Sequence, residues 1–332
     1  MINKTLTSML AAGAVTLGAQ QAAAQSMSLD LANEYPPSSV HGQSAEIFAD
    51  TLGRLSGGDI EINLHHGASL GYKSVDQFDA VGDGALPLAS SFMGPWAGID
   101  ELFLLSSLPF LASTPEQVWD LYQAAKPYYE EVLEENNQVF LFATPWPPSG
   151  LWGNKALDSM EALEGSRIRT YDSSGTVTLR EAGAEPIQLS WADVVPQLST
   201  GGIDGVLTSA DGGASASLWE QQSHFTEVNY ASPLQVLHMN RDTYDSLSDE
   251  QKEMVEKAAA AGEAYGWWVL PRRQQENYAK MRDNGMTVIE NVSDDYLNGL
   301  NEAAQPAIEE WRSGMGERGE EILEAYQARI DG

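Results

Sequence analysis

Apolar and polar residues alternate along the chain with two different periods. Residues 27–32 and 60–64 alternate with a period of two, as expected of half-buried strands. Between them, residues 40–55 carry apolar side chains at helical spacing, and a Ser-Gly-Gly run at 56–58 ends the helix. The pattern therefore predicts a βαβ unit and, with it, a parallel α/β sheet.

Two segments that are far apart in the chain show the same order of predicted elements. Residues 75–91 and 194–209 each read as a short helix, a glycine that ends it, and a short strand that finishes in hydroxyl side chains. One copy in each half of the chain predicts two lobes, each presenting a strand end and a helix N-terminus to a shared cleft. Chance similarity between two βα units is the alternative interpretation.

The last third of the chain is predicted to be helical. Ser248 and Gln251 form a capping box at its start, and residues 294–330 are mostly helical in pattern. No low-complexity linker separates the segments, so we expect the lobes to interleave. The predicted divisions are a signal peptide over 1–24, mostly the first lobe over 25–145, mostly the second lobe over 146–240, and a helical segment packing on both lobes over 241–332.

The N-terminal residues predict export. Lys4 precedes a small, apolar run at 9–17, and an Ala-Ala-Ala cleavage site at 22–24 comes before Gln25. This is the order of a secretory signal peptide. The apolar run is too short for a membrane span of about 20 residues. A retained N-terminal anchor is the alternative.

Composition narrows the function classes. The 18 Lys+Arg face 48 Asp+Glu, and the formal net charge of −30 argues against nucleic acid and anionic membranes as partners. The chain has no cysteine, which excludes disulfides and thiolate metal sites. A solvated acidic surface explains most of the charge, so a buried arginine in this background is informative.

Arg169 is the candidate that carries most information. It ends a short basic strand, residues 166–170, and a Ser/Gly-rich turn into a helix follows. Its planar guanidinium can bind a carboxylate through two parallel hydrogen bonds. The alternative is a structural ion pair with one of the 48 acids.

This order of segments resembles the DctP-type extracytoplasmic solute receptors of TRAP transporters. The most specific pieces are Ser-Leu-Pro-Phe-Leu at 107–111 and the stretch from Arg169 through Trp191 to Gly-Ile-Asp-Gly at 202–205. The resemblance covers nearly the whole chain after the signal peptide. It implies an α/β, two-lobed periplasmic-binding-protein fold with interleaved lobes, a ligand cleft between them and long C-terminal helices. It also implies hinge closure on the ligand.

The same resemblance implies a function without chemistry. A periplasmic receptor of this kind captures a small organic carboxylate on Arg169, covers it with Trp191, and delivers it to the small and large TRAP membrane subunits. A receptor of an ABC transporter, with a similar two-lobed shape, stays open as an alternative. The chain departs from the family at 206–209, where Gln-Glu-Asn is frequent, and at 149–152, where some sialic-acid-type members carry another arginine. The substrate therefore cannot be transferred.

Further ligand contacts are expected near predicted strand ends and loops. The candidates are Glu34, Tyr35, Tyr72, Ser91, Trp146, Trp152, Thr208 and Asp211. For each tryptophan, burial in a core is an equally good interpretation. No cofactor is expected. No metal site is expected at His65 and His66, because adjacent residues of a strand point to opposite faces and cannot easily share one ion. We expect a monomer, with a dimer as the alternative.

One motif suggests an enzyme instead. Gly-Ala-Ser-Leu-Gly at 67–71 follows a strand and matches the G-x-S-x-G nucleophile elbow of secreted α/β hydrolases, with Ser69 as nucleophile. Such an enzyme also needs a later acid, a histidine and an oxyanion-hole loop. His224 and His238 lie in no convincing loop motif, and no His-Gly-Gly-Gly run occurs. A glycine-rich turn explains the match, so no catalysis is expected.

Overall fold

The computed structural model of the chain describes residues 27–331. The expected signal peptide lies outside these described residues. In the described part, no helix combines the length and apolar character needed to cross a membrane.

In chain order the elements are β1 (Met27–Asn33), α1 (Val40–Leu55), β2 (Ile60–His65), α2 (Ser74–Gly82), β3 (Leu88–Phe92), α3 (Pro115–Glu135), β4 (Gln138–Pro145), β5 (Ser149–Gly153), α4 (Met160–Leu163), β6 (Arg167–Thr170), α5 (Ser173–Glu181), β7 (Glu185–Gln188), α6 (Val194–Ser199), β8 (Gly205–Ser209), α7 (Ala210–Ser215), β9 (His224–Thr226), β10 (Leu234–Asn240), α8 (Arg241–Asp245), α9 (Asp249–Asp283), β11 (Thr287–Ile289) and α10 (Asp294–Ile330).

The first sheet has the strand order β2-β1-β3-β10-β4. β1 pairs in parallel with both β2 and β3, which confirms the βαβ unit predicted from the apolar spacing. β10 runs antiparallel between β3 and β4. Phe48 and Leu52 of α1 are buried in the core that this sheet shares with the helix. We call this sheet, with α1 to α3, the first lobe.

The second sheet has the order β11-β9-β5-β8-β6-β7. β6 lies between β7 and β8 and is parallel to both, so the carboxyl ends of these three strands meet at one edge. β5 pairs antiparallel with β8 and β9 on the other side. We call this sheet, with α5 to α7, the second lobe. The edge formed by β6, β7 and β8 faces the cleft described below.

The lobes are interleaved, as the sequence predicted. The chain leaves the first sheet through residues 146–148 and returns through 227–233, and these crossing segments pair side by side. The Trp146 amide donates to the Pro233 carbonyl at 2.9 Å, and the Ser149 amide donates to the Ala231 carbonyl at 2.8 Å. The long helices complete the link, because α9 contacts α1 and α7 while α10 contacts α3 and α5.

Neither sheet is built from one continuous stretch of the chain. β10 lies in the first sheet although its residues fall within 146–240, the range expected to be mostly second lobe. β11 lies at the edge of the second sheet although it falls within the predicted helical segment. The numerical domain limits stay a prediction, while the two-sheet α/β architecture with long C-terminal helices is confirmed.

Candidate functional site

Arg169 lies at the carboxyl end of β6, and it is buried with 2% of its surface exposed. Its Nε donates to the Leu189 carbonyl at 2.9 Å, and its Nη1 lies 3.5 Å from the Leu207 carbonyl. Burial lowers the pKa of Arg169. A guanidinium has five N–H donors and stays protonated in proteins, so these two backbone carbonyls leave part of its donor set available.

No carboxylate lies within 4 Å of the Arg169 guanidinium among residues 27–331, in contrast to the arginines that form ion pairs elsewhere in that range. A buried charge is costly unless it is paired and hydrogen-bonded. The structural ion pair considered as the alternative role is therefore not what this arginine makes. Its arrangement suits an anion that is not part of the chain.

Aromatic rings surround the guanidinium. The Arg169 Cζ atom lies 5.6 Å from the Trp191 ring centre and 5.9 Å from that of Tyr171. Tyr35 packs on Trp191 with 5.7 Å between ring centres, and on Trp146 with 4.7 Å. A cation among ring faces is stabilised by their quadrupoles. The rings also exclude water, which strengthens any ionic contact formed beside them.

Two connected spaces make up the cleft. An inner chamber of about 20 Å³ reaches the crossing segments and is lined by Tyr35, Phe92, Trp146, Ser149, Arg169, Tyr171, Trp191, Thr208, Ser209 and Pro233. An outer chamber of about 200 Å³ shares Arg169 and four of its aromatic neighbours with the inner one and adds Glu34, Ser74 and residues 188–190. The cleft is thus built from strand ends of both lobes, with Arg169 between the two chambers.

Five of the predicted contacts other than Arg169 line this cleft. Tyr35 and Trp191 border both chambers, Trp146 and Thr208 border the inner one, and Glu34 borders the outer one. Their common feature is position, because each lies at or just beyond the end of a strand or on a crossing segment.

Trp152 and Ser91 lie away from the cleft lining. Trp152 is fully buried in the second lobe, where its ring packs on Phe225 at 5.3 Å and its Nε1 donates to the Ser209 carbonyl at 3.2 Å. Ser91 is buried in the first lobe, where its hydroxyl lies 2.5 Å from Gln77 Oε1 and 2.8 Å from His238 Nε2. Their surroundings give both a packing role.

Tyr72 and Asp211 are also outside the lining. Tyr72 packs against a small apolar cluster of the first lobe. Asp211 is fully buried, and it accepts from the Val40 amide at 2.9 Å, from Arg273 Nε at 2.5 Å and from Asn277 Nδ2 at 3.0 Å. Since Val40 starts α1 and Asp211 lies in α7, this carboxylate ties the two lobes to α9.

The structure adds residues that the sequence did not single out. Tyr171 and Phe92 are cleft walls whose rings meet edge to face at 5.3 Å, and Ser149, Ser209 and Pro233 complete the inner chamber. Phe92 is the last residue of β3 and Ser209 the last of β8. Inspecting every strand end, including the residue just after each basic or hydroxyl-rich strand, would have found most of them.

Asp172 lies behind the cleft wall. It is fully buried, and its Oδ1 accepts from the Gly175 amide at 3.0 Å as the N-cap of α5. Its Oδ2 makes no hydrogen bond of good geometry within the described residues, although the Ser107 hydroxyl lies near enough to oppose part of the effect of burial on the Asp172 pKa. Burial raises the pKa of Asp172 to about 6. A Cβ atom at Gly94 would lie 2.9 Å from Oδ2, so the missing side chain at Gly94 lets the lobes approach here.

The hydrolase motif forms a turn. Gly67, Ala68 and Gly71 have φ values of 66°, 55° and 84°, and no helix begins before Ser74. A nucleophile elbow requires a strand, then a sharp turn that carries the serine, and then a helix that begins directly after it. Within residues 27–331 the exposed Ser69 hydroxyl makes no hydrogen bond to a histidine. Nothing in this geometry supports the hydrolase interpretation.

Two lobes that share crossing segments enclose a cleft with a buried cation and aromatic walls, which is the arrangement of a ligand-binding receptor. The chain belongs to the DctP family, described as bacterial extracellular solute-binding protein, family 7, whose sequence profile matches residues 31–314. The resemblance drawn from the Arg169-to-Gly205 stretch is thereby confirmed. The family consists of receptors that supply TRAP transporters.

Solved structures and curated sequences agree with this assignment. A marine-metagenome TRAP solute-binding protein, described as specific for pyroglutamate, is 29% identical with a TM-score of 0.87, over 92% of this chain and 99% of its own. A Bordetella pertussis extracytoplasmic receptor described as binding pyroglutamic acid is 25% identical with a TM-score of 0.87, over 91% and 100%. The sialic acid-binding periplasmic protein SiaP of Vibrio cholerae is 24% identical over 315 residues, which cover 91% of this chain and 94% of SiaP.

Proposed function

We propose that the chain is the periplasmic receptor of a TRAP transporter and captures a compact monocarboxylate, pyroglutamate or a ring of similar size, on Arg169. The observation that carries this proposal is a buried guanidinium with free donors and no carboxylate of its own within residues 27–331. A ligand carboxylate supplies the missing anion through two parallel charge-assisted hydrogen bonds.

The chemistry of the walls favours one acidic group on a small, largely apolar body. Arg169 is the one cationic side chain that lines either chamber in the described part of the chain. Phe92, Trp146 and Trp191 offer ring faces, while Ser149 and Thr208 offer hydroxyl groups that can bind a carbonyl or an amide on the far side of the ligand. The polar side chains Glu34, Ser74, Gln188 and Ser190 line only the outer chamber, so a polyhydroxylated sugar acid suits the aromatic inner chamber less well than a flat ring does.

Two structural relatives point to the same class of ligand. Both are described as binding pyroglutamate, a five-membered lactam with one carboxylate. That molecule combines an anion, a flat ring and an amide, which correspond to the guanidinium, the aromatic walls and the hydroxyl groups here. At 25–29% identity, we transfer from these relatives the class of ligand, a small ring with one carboxylate, and use pyroglutamate as its representative.

Delivery and location complete the proposal. The family supplies membrane transporters, so the partners are the small and large TRAP subunits, and the receptor acts in the periplasm after removal of residues 1–24 as a signal peptide. The protein binds and releases its ligand unchanged, and it works as a monomer. Adjacent genes for one small and one large membrane subunit, without an ATPase gene, would distinguish this system from an ABC transporter.

Calorimetric titration with a matched pair of ligands tests the proposal. Pyroglutamate and 2-pyrrolidone share one lactam ring and differ in the carboxylate. We expect pyroglutamate to bind and 2-pyrrolidone to show no measurable heat of binding. A thermal-shift screen of organic acids tests more candidate ligands, because a ligand at 100 times its Kd stabilises the protein by about 2.7 kcal/mol. Equal affinity for both lactams, or no stabilisation by any organic acid, would overturn the carboxylate assignment.

A further inference from the structure

Two polar contacts join the lobes at the mouth of the cleft. The inner chamber is bounded by Trp146, Ser149 and Pro233 on or beside the crossing segments, whereas the outer chamber is bounded by Glu34 and residues 188–191. Arg169 borders both. The outer chamber therefore lies on the side away from the crossing segments, where two lobes moving about those segments separate most.

Glu34 forms the first contact. It follows β1 in the first lobe and is 3% exposed. Its Oε2 accepts from the amide of Ser74, the first residue of α2, at 2.8 Å. Its Oε1 accepts from the amide of Ala192 in the second lobe at 3.0 Å. One carboxylate thus binds an amide from each lobe, and separation of the lobes removes one of its two bonds.

Lys73 and Asp193 form the second contact. Lys73 Nζ and Asp193 Oδ2 are 2.7 Å apart, and their side chains are 34% and 43% exposed. The hydrogen bond to Asp193 raises the pKa of Lys73. The two contacts are adjacent in sequence on both sides, since Lys73 precedes Ser74 and Asp193 follows Ala192. They therefore form and break together when the lobes meet or part.

We propose that Glu34 and the Lys73–Asp193 pair form a mouth latch, a set of positioning contacts that holds the lobes closed and slows ligand release without touching the ligand. This inference rests on the proposed function as a carboxylate receptor, and it identifies residues that set the rate of ligand release. Both Glu34 oxygens already accept backbone amides, so neither needs a ligand donor. Ala192 is the neighbour of Trp191, whose ring packs on Tyr35 of the first lobe, so the latch lies beside an aromatic contact that also joins the lobes.

Ligand-release kinetics test the latch. In stopped-flow fluorescence with pyroglutamate, Glu34→Gln should raise the dissociation rate about tenfold, because the buried bond to Ala192 is weakened. Asp193→Asn should raise it about two- to fivefold, as expected of a half-exposed ion pair. Association rates should not fall, because a loosened latch leaves the cleft at least as open to an arriving ligand as it is in wild type. Unchanged dissociation rates in both variants would overturn the latch.

Two controls sharpen this test. The exchanged pair Lys73→Asp/Asp193→Lys restores opposite charges across the mouth, so its dissociation rate should return toward wild type. Lys126→Gln removes a pair within α3 whose Lys126 Nζ and Glu130 Oε1 are 3.9 Å apart, and it should leave the rate unchanged. An exchanged pair as fast as Asp193→Asn would contradict an ionic contribution to closure.

A ligand-free measurement separates the latch from the ligand assignment. The chain has no cysteine, so Asp79→Cys on α2 and Ser199→Cys on α6 accept spin labels at two defined, exposed positions. Glu34→Gln should shift the distance distribution between the labels toward longer values without any ligand. If wild type does not bind pyroglutamate, this shift still supports the latch. A Glu34→Gln variant with faster release and an unchanged ligand-free distribution would make Glu34 a ligand contact and overturn the proposal.

Discussion

Arg167 and Arg169 lie two residues apart on β6 and therefore project from the same face of the strand, yet they bind different partners. Near the amino end, Arg167 pairs with Asp204, with 2.6 Å between Nη2 and Oδ1, and its side chain is 40% exposed. At the carboxyl end, Arg169 is buried and bonded to backbone carbonyls only. The first arginine stabilises the strand edge, and the second is available to a ligand.

This contrast predicts that alanine at Arg169 weakens ligand binding, whereas alanine at Arg167 does not. Arg169→Ala should weaken binding of pyroglutamate by about 2–5 kcal/mol, because a desolvated, charge-assisted pair is lost. Arg169→Lys keeps the charge but not the planar fork, so it should also bind poorly. Arg167→Ala is the matched control and should bind as wild type does. Calorimetric titration and unliganded melting curves decide, and near-wild-type affinity in Arg169→Ala would refute the clamp.

Trp191 and Trp152 should separate binding from stability. Trp191→Ala removes a cleft wall stacked on Tyr35, and we expect it to weaken ligand binding by about 1.5–3 kcal/mol and to remove part of the fluorescence change on binding. Trp152→Ala empties the core of the second lobe and should lower the free energy of unfolding by about 3–5 kcal/mol. Titration and chemical denaturation of both variants check this. An unaltered affinity in Trp191→Ala would make that ring a structural residue.

Asp172 should make stability depend on pH. Burial raises its pKa from 3.8 to about 6, so the folded protein binds more protons than the unfolded chain between those values. Its contribution to stability therefore falls as pH rises from 4 to 6. Asp172→Asn keeps the cap on Gly175 and should be more stable than wild type at pH 7.5, on the order of 1–3 kcal/mol. Denaturant unfolding should show the difference vanishing near pH 4, and a difference independent of pH would contradict the assignment.

Ser69 should be chemically unreactive. Its turn does not lead directly into a helix, because α2 begins only at Ser74, and its hydroxyl is exposed without a histidine partner in the described residues. A fluorophosphonate probe should therefore leave Ser69 unlabelled, and Ser69→Ala should bind pyroglutamate with unchanged affinity. Stoichiometric labelling at Ser69, located by peptide mass spectrometry, would revive the hydrolase alternative.

The N-terminus should be processed on export. The charged start, apolar run and Ala-Ala-Ala site predict cleavage near Ala24, so protein recovered from the periplasm of a Gram-negative host should begin near Gln25. Intact-mass measurement is sufficient to read the new terminus. Periplasmic protein that retains Met1 would contradict a cleaved leader and favour the anchored alternative.

Local patterns explain why part of the fold was predictable. The βαβ unit at the start depends on spacing within about 40 residues, and the structure reproduces it. Arg169 was identifiable because a basic strand end is rare in an acidic chain. The sequence could not show whether Trp152 lines the cleft or lies in the core. The face on which it lies depends on the pairing of β5 with β8 and β9, which lie more than 50 residues downstream.

Strand alternation explains the remaining difference in the first lobe. Ser91 was chosen as a contact, whereas the adjacent Phe92 is the cleft wall and Ser91 points into the Gln77 and His238 network. Successive side chains of a strand point to opposite faces. If the end of the strand is misplaced by one residue, a core side chain is therefore taken for one that lines the cleft. The sequence defines the alternation, but only the neighbouring elements define which face is the cleft.

The position of β10 bears on how the chain can be exported. β10 lies between β3 and β4, although its residues 234–240 follow β4 by almost 90 positions. The first sheet therefore cannot close until most of the polypeptide has been synthesised, and a nascent chain lacking residue 240 has two unpaired strand edges. Such long-range pairing slows folding. Late completion of this sheet favours passage of the chain through a translocation channel before the first lobe folds.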